Sequence, residues 1–392
     1  MQTRRDVKNP LFKTTLLSLS LLPIMTGAGV APGMSRVAEA FPQVGPILLK
    51  MVLSAPPLFM VFAALGAGFL SRWIRKQTLL LTGLLLFLAG GVGAGLSDSF
   101  GALLLLRSIL GIGAGTILPF STGLIGEFYE DDEKTSMMGY SFAANNTGAI
   151  TGNLAAGFLA VVSWRVMFHI YWIALPVIVL VILFLRDLPG PSSVRKKVSP
   201  LPQRVYRFPL YAFLLMMLFF AIVTNLSLLI EGRQIGSPGL SGGILALNAL
   251  CMFLGGVLLS RIRRVLKASL VPVAWMAMAG GFLGMAQVST AVLLALSVAL
   301  AGLGLGCLFP YLLNELSNTV TPEQNIRAMS LAMAAGWLGQ FLSPVILDPV
   351  CSVLGGDPGD LFTAIGCGLV LATLWRTARG IWIAMAARAV SQ

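Results

Sequence analysis

Long apolar runs alternate with short polar segments along the whole chain, and the runs are of membrane-spanning length. A helix rises 1.5 Å per residue, so about 20 apolar residues cross a hydrocarbon core of about 30 Å. Twelve windows can be placed, at residues 14–34, 46–70, 77–97, 101–124, 136–162, 166–185, 209–231, 240–260, 268–288, 291–313, 328–347 and 361–375. The pattern predicts an all-α integral membrane protein with twelve transmembrane helices.

A polar stretch divides the windows into six and six. It covers residues 187–207 and is rich in proline and basic residues, a composition typical of a flexible connector. We therefore expect an N-terminal six-helix bundle in residues 1–186, a cytoplasmic linker, and a C-terminal six-helix bundle in residues 208–392. The end of the second bundle, residues 376–389, predicts a short amphipathic segment on the membrane surface.

Composition supports this class, since 57% of the residues are hydrophobic and 11% are charged. The net charge of +12 does not indicate nucleic acid, because the basic residues form short clusters between apolar runs, where they encode membrane orientation. With the N-terminus inside, the Lys and Arg residues outside the spans lie on the inner side, apart from Arg36, Lys50, Arg165 and Arg233. We expect a multi-pass protein of the cell membrane with both termini cytoplasmic.

A glycine ladder occurs once in each half of the chain. The two copies read Gly111-x-Gly113-x-Gly115-x-x-x-Pro119 and Gly302-x-Gly304-x-Gly306-x-x-x-Pro310. Parallel repeats of six spans predict two bundles related by an axis along the membrane normal, with a binding site between them near the midplane. This is the geometry of a transporter.

The segment AGFLSRWIRK between the second and third windows resembles the loop motif of the major facilitator superfamily, a glycine followed by Asp-Arg and Gly-Arg-Lys. Arg72, Arg75 and Lys76 keep its basic positions, whereas Ser71 replaces its aspartate. The resemblance implies a gating latch in which these residues pair with Glu127 at the inner end of the fourth helix. The loss of the aspartate implies a weaker inner gate.

The fifth window resembles a more specific motif, that of the drug:proton antiporter branch of the superfamily. That motif reads Gly-(x)8-Gly-(x)3-Gly-Pro-x-x-Gly-Gly, and this chain matches it at Gly139, Gly148, Gly152 and Gly157, with Asn153 in place of the proline. Small residues at these intervals let helices approach closely. The resemblance implies export rather than import.

Arg107 lies about six residues inside a predicted span, and it is charged at any accessible pH. With Leu110 and Gly111 it resembles the superfamily's fourth-helix motif Arg-x-x-Gln-Gly, without the glutamine. An intramembrane charge is a functional candidate. Two interpretations stay open: Arg107 ties neighbouring helices together or snorkels, or it binds an anionic substrate group or acts on a nearby carboxyl.

Polar side chains in the other apolar windows are candidates for a cavity lining. Those that we expect to face it are Asn145, Asn146, Asn225 and Gln340. The first helix carries no acidic residue, so proton coupling would use Glu231, Asp348 or His169, near the outer side, or the protonatable substrate itself. Glu231 is the first choice because it ends helix 7, a gating helix in the superfamily. A structural role is favoured for His169, although its titration range suits coupling.

These features predict a secondary transporter that exports small amphipathic or drug-like compounds by alternating access, with proton antiport. The alternative is a metabolite carrier for organic anions, with Arg107 as the substrate clamp. One histidine and no nucleophile–base constellation argue against an enzyme. We expect a monomer in the lipid bilayer that binds a small molecule and protons but no metal, cofactor or nucleic acid.

Overall fold

The computed structural model describes residues 9–71, 73–185 and 201–390. Arg72 and residues 186–200, most of the predicted linker, lie outside this range. Side chains from residue 379 onward also lie outside it, so the predicted amphipathic character of the tail stays a prediction.

The described residues form helices throughout, and we number the membrane spans from 1 to 12. Span 1 is broken into the helices Pro10–Leu21, Met25–Ala28 and Met34–Ala40, with a 3-10 turn at Ala31–Gly33. Spans 2 to 5 are Pro46–Leu70, Lys76–Gly95, Phe100–Phe128 and Asp131–Val162. Span 6 comprises Trp164–Met167, the 3-10 segment Phe168–Ile173, and Ala174–Phe184.

The second half begins with a 3-10 turn at Gln203–Tyr206. Spans 7 to 12 are Arg207–Gly232, Pro238–Leu266, Leu270–Ala286, Ala291–Thr319, Pro322–Leu354 and Pro358–Val390. A short 3-10 turn, Lys267–Ser269, separates spans 8 and 9, and the positive φ of Lys267 (46°) marks the reversal of the chain there.

Within the described residues, nine stretches are long and apolar enough to cross a membrane, or ten when the two parts of span 1, bent by 60°, count as one. One of the nine runs from Pro238 to Ala286 and contains both span 8 and span 9. Span 5 is not among them, yet it is 32 residues long and packs between spans 1 and 8. The architecture is therefore the predicted one: twelve spans in two six-helix bundles.

Both copies of the glycine ladder are packing surfaces with the same arrangement of neighbours. Gly111 and Gly115 face span 2 while Gly113 faces span 3, and their second-half counterparts face spans 8 and 9 in the same order. A Cβ on Gly111 would lie 2.6 Å from the Pro56 carbonyl oxygen, and one on Gly304 would lie 2.6 Å from that of Ala274. Glycine is required there because the backbones themselves are in contact.

The two halves contact each other through spans 2 and 11, spans 5 and 8, and spans 1 and 7. Spans 5 and 8 cross where Gly157 meets Gly242, and a Cβ on either would lie 2.9 Å from the Cα of the other. This crossing lies at the end of the bundle where span 5 finishes and span 8 begins. We call it the sealed end; the start of span 2 and the finish of span 11 lie there too.

Candidate functional site

A buried ion pair joins the halves at the sealed end. Lys50 lies one turn into span 2, and its Nζ donates to Asp348 Oδ1 of span 11 at 2.7 Å. The two side chains are 6% and 7% exposed. The same Nζ donates to Asn225 Oδ1 of span 7, also at 2.7 Å. One ammonium group therefore connects one helix of the first half to two of the second.

Asn225 is oriented for this contact by its own helix. Its Nδ2 donates to the Ala221 carbonyl at 2.9 Å and lies 3.1 Å from Thr224 Oγ1, so its amide oxygen points to Lys50. Asp348 is only half satisfied: Oδ2 is buried and has no hydrogen-bond partner among the described residues. A buried carboxylate oxygen without a donor is costly, and it marks a place where another donor could bind.

A second set of contacts between spans 1 and 7 lies at the same end. The hydroxyl oxygens of Ser35 and Ser227 are 2.9 Å apart, and Ser227 also donates to the Pro32 carbonyl at 2.8 Å. Glu231 lies beside them with Arg36 Nε 3.9 Å away, a weak ion pair. The break in span 1 makes these contacts possible, because the turn at Ala31–Gly33 brings a backbone carbonyl to span 7.

A cavity of about 360 Å³ adjoins the buried ion pair. Its wall includes Lys50, Asn225, Arg233, Asp348, Cys351 and Asp357, together with apolar groups from spans 2 and 7. Arg233 pairs with Asp357 at 2.5 Å and donates to the Ala286 carbonyl at 2.8 Å, which ties spans 7, 9 and 12 together. We call this cavity the vestibule; its volume lies within the range of small-molecule pockets.

Arg107 is completely buried inside the first half, away from the contacts between the halves. Its Nε donates to the Val52 carbonyl at 2.8 Å, Nη1 to the Tyr171 hydroxyl at 2.8 Å, and Nη2 to the Thr26 carbonyl. Pro56 has no N–H to give to Val52, its partner four residues earlier in a helix. The guanidinium therefore satisfies a carbonyl that a proline has released.

The Thr26 carbonyl is exposed by the break in span 1 in the same way. The N–H of Val30, which a continuous helix would donate to Thr26, instead donates to the Gly27 carbonyl at 3.1 Å. Arg107 thus joins spans 1, 2, 4 and 6 through groups of its own half. This is the geometry of the helix-tying interpretation; the substrate-clamp interpretation stays a prediction, which would require these hydrogen bonds to be released.

The remaining predicted cavity and coupling residues are dispersed. Asn145 donates to the Ser20 carbonyl at 3.1 Å, Asn146 donates to Phe142 of its own helix at 2.8 Å, and Gln340 lies against the sulfur of Met216 at 3.6 Å. His169 is exposed in span 6, with Nδ1 3.1 Å from the Val166 carbonyl oxygen. Of the predicted amides, Asn225 is the one that the structure brings to the ion pair.

The predicted latch lies at the opposite end from the vestibule. Lys76 pairs with Glu127, joining the start of span 3 to the end of span 4, and Arg75 is exposed. In the second half, Arg263 pairs with Glu315 at 3.2 Å, joining the ends of spans 8 and 10. These pairs connect helices within a half, and the pair described for Glu127 is with the lysine rather than with an arginine.

The fifth-helix motif packs on both neighbours of span 5. A Cβ on Gly148 would lie 2.7 Å from the Leu21 carbonyl oxygen, and one on Gly152 would lie 3.2 Å from the Ala28 Cβ, both on span 1. Gly157 contacts Gly242 across the halves, while nothing lies within 4 Å of a Cβ on Gly139. Asn153 donates to the Ala149 carbonyl of its own helix at 2.8 Å.

Sequence reasoning missed Lys50 as a functional residue, since it placed Lys50 among the outer-side charges. Asp348 was considered only as a proton-coupling candidate at the outer side. A usable signal exists: Lys50 lies inside an apolar window that begins at residue 46, so its side chain must either snorkel or find a counter-charge.

A family model described as Major Facilitator Superfamily matches residues 13–344. Among curated proteins, the quinolone resistance protein NorA of Staphylococcus aureus is 31% identical over 121 residues, 31% of this chain and 31% of NorA. The 4-hydroxybenzoate transporter PcaK of Pseudomonas aeruginosa is 29% identical over 165 residues, 39% of this chain and 36% of PcaK. Each match covers less than two fifths of either protein.

Similarity to solved structures extends over nearly the whole chain. The crystal structure of a mutant of the nucleoside transporter NupG superposes with a TM-score of 0.75 at 12% identity, covering 93% of this chain and 99% of that one. At this identity the likeness concerns the fold alone.

Proposed function

This chain belongs to the Major Facilitator Superfamily, and from that premise we propose that it exports small amphipathic, drug-like compounds by alternating access in exchange for inward-moving protons. As a member of this superfamily it is a multi-pass membrane transporter, and the relatives that it matches are transporters rather than enzymes. The observation that carries the proposal is the buried pair of Lys50 and Asp348 between the halves.

The ion pair supports alternating access because it suits a contact that forms and breaks. Two charges taken from water compensate each other only while they remain paired, so the halves can part only if each partner is rehydrated. The glycine crossing of spans 5 and 8 adds a close but small contact at the same end. Both features oppose partial opening and favour two discrete states.

Export and proton antiport rest on resemblance and on the placement of carboxyls. The partial match to NorA, a quinolone resistance protein, supports drug efflux, as does the motif of span 5. Glu231 and Asp348 both lie at the sealed end between the halves, where a change in protonation would alter contacts that hold the end closed. Glu231 and Asp348 are thus our candidates for the proton carrier.

We further propose that both termini are cytoplasmic, so that the sealed end faces outward and the pair of Lys76 and Glu127 faces the cytosol. This orientation follows the distribution of basic residues in the loops. The division into bundles at residues 1–186 and 208–392 and the monomeric state belong to the same proposal.

The second candidate is a carrier of organic anions, which the partial match to the 4-hydroxybenzoate transporter PcaK supports. In this version Arg107 is the clamp, and the substrate must displace the Val52, Thr26 and Tyr171 oxygens that hold it in the structure.

Transport in proteoliposomes separates the two candidates. A lipophilic cationic dye and a panel of organic anions are loaded in turn, and pH gradients of either sign are imposed. Dye movement against its own gradient, lost when the proton gradient is dissipated, is the result expected for an antiporter. Anion flux that is indifferent to pH and absent in Arg107→Ala would replace it with the carrier. Unchanged proton dependence in Glu231→Gln would remove Glu231 as the proton carrier.

A further inference from the structure

The vestibule and the buried ion pair together have the features of a ligand site. We propose that the vestibule binds small organic ammonium ions, with Asp348 as their acceptor and the Lys50 ammonium as a resident cation that they displace. This inference rests on the proposed function and adds that the exported compounds are cations with a binding site at the exit side.

The geometry around Asp348 is the first support. Its Oδ1 already accepts from a primary ammonium group, and its Oδ2 is buried without a donor among the described residues. A second ammonium ion with its own N–H groups could satisfy both oxygens, and Asn225 Oδ1 offers a third acceptor at the same point. The acceptors at this point suit a primary ammonium group, and the Lys50 side chain supplies that group in the structure.

The charge of the surroundings is the second support. Asp348 and Asp357 line the vestibule. The cations in this region are Lys50 and Arg233. The two carboxylates balance the two cations while Lys50 is in place, so displacement of Lys50 toward water leaves an excess of negative charge that favours another cation at Asp348.

The space available is the third support. The vestibule of about 360 Å³ has both Lys50 and Asp348 in its wall, so a ligand in the cavity lies next to the carboxylate. Apolar groups in the same wall, among them Leu228, Leu229 and Pro46, can cover the hydrocarbon part of an amphipathic amine. Competition between the ligand and Lys50 keeps affinity moderate, as release to the outside requires.

The test is equilibrium binding to the purified full-length protein, without any gradient. The probes are dansylcadaverine, a fluorescent primary amine, and its N-acetylated, uncharged derivative. Lys50→Met removes the competitor and should tighten amine binding by about tenfold, whereas Asp348→Asn should weaken it by about tenfold. The acetylated probe should change by less than about twofold in both variants, since it has no ammonium group to exchange.

Two further variants keep the result interpretable. Lys50→Met/Asp348→Leu replaces the pair with apolar groups, a change that buried pairs tolerate; it should fold and should lose amine binding selectively. Asp98→Asn, which removes an exposed acidic partner of Arg165 in the first half, is the matched control and should bind as the wild type does.

Equal effects on both probes, or amine binding unaffected by Lys50→Met and Asp348→Asn, would overturn the inference. Because the binding assay involves no transport, such a result would leave the proposed proton-driven export of the dye unaffected. Amine binding without any proton-driven flux would instead overturn the proposed function.

Discussion

Arg107 and Lys50 are both buried cations, and the difference between their surroundings shows how the role of a charge follows from its partners. Arg107 is held by two backbone carbonyls and a tyrosine hydroxyl, all within the first half. Lys50 is held by a carboxylate and an amide of the opposite half. The neutral partners of Arg107 all belong to its own half, so these contacts hold that half together. The counter-charge of Lys50 belongs to the opposite half, so this contact can break when the halves separate or when another cation takes the place of the lysine.

The residue types fit these roles. The arginine guanidinium is planar, weakly hydrated and always charged, so it can spread its charge over several carbonyls without a counter-ion. The lysine ammonium is a compact and strongly hydrated charge that needs a close anion when it is buried. An exchange of the two residues would therefore disturb both regions.

The largest effect is expected for Lys50→Met, which leaves Asp348 as a buried, unpaired carboxylate. The free energy of unfolding should fall by about 3–5 kcal/mol, the usual cost of breaking a buried pair. The Lys50→Met/Asp348→Leu variant should recover most of that loss, because no charge is left behind. Apparent melting temperatures in detergent measure both, and a double variant as unstable as the single one would contradict the assigned role.

A smaller loss of about 2–3 kcal/mol is expected for Arg107→Met, which leaves buried acceptors without donors. Here no acidic partner can be removed to compensate. The comparison predicts a different rescue: adding Pro56→Ala supplies an N–H to the Val52 carbonyl and should recover about 1 kcal/mol. Pro57→Ala is the matched control, since it supplies an N–H to the Leu53 carbonyl instead. Equal rescue by both prolines would show that helix straightening, not carbonyl satisfaction, is responsible.

The smallest effect is expected for Lys76→Met at the opposite end of the molecule. The Lys76 side chain is 11% exposed and that of its partner Glu127 is 37% exposed, and pairs that reach solvent contribute about 1 kcal/mol or less. The loss should shrink further at about 1 M salt, where screening is nearly complete. A loss as large as that for Lys50→Met would remove the distinction between a solvated pair and the buried pair between the halves.

The sequence was sufficient for the fold because hydropathy periodicity reports membrane spans directly. The window 46–70 coincides with span 2, and the other windows differ from the observed helices mainly at their ends. The break in span 1 was missed because hydropathy treats residues 14–34 as one apolar run, although Pro23 lies at the first interruption and Gly29, Pro32 and Gly33 lie at the second. That break is stabilised by Arg107, which lies about eighty residues away.

The ion pair could not be found by periodicity for a related reason. Lys50 and Asp348 are 298 residues apart, and each lies near the end of an apolar window, where a charge ordinarily marks the membrane boundary. Only the tilt and packing of spans 2 and 11 decide whether such a side chain reaches water or the opposite half. Asn225 was identified because an amide in the middle of an apolar helix has no such ordinary explanation.

The repeated glycine ladder has a consequence for how the chain can vary. At Gly111, Gly113 and Gly115, and at Gly302, Gly304 and Gly306, a backbone or side-chain atom of a neighbouring helix already occupies the volume of a methyl group. A complete substitution library, scored for protein reaching the membrane, should therefore show two triplets of forbidden positions with a spacing of two residues. Gly66, Gly68 and Gly243, around which a methyl group would meet nothing within 4 Å, should accept alanine freely in the same library.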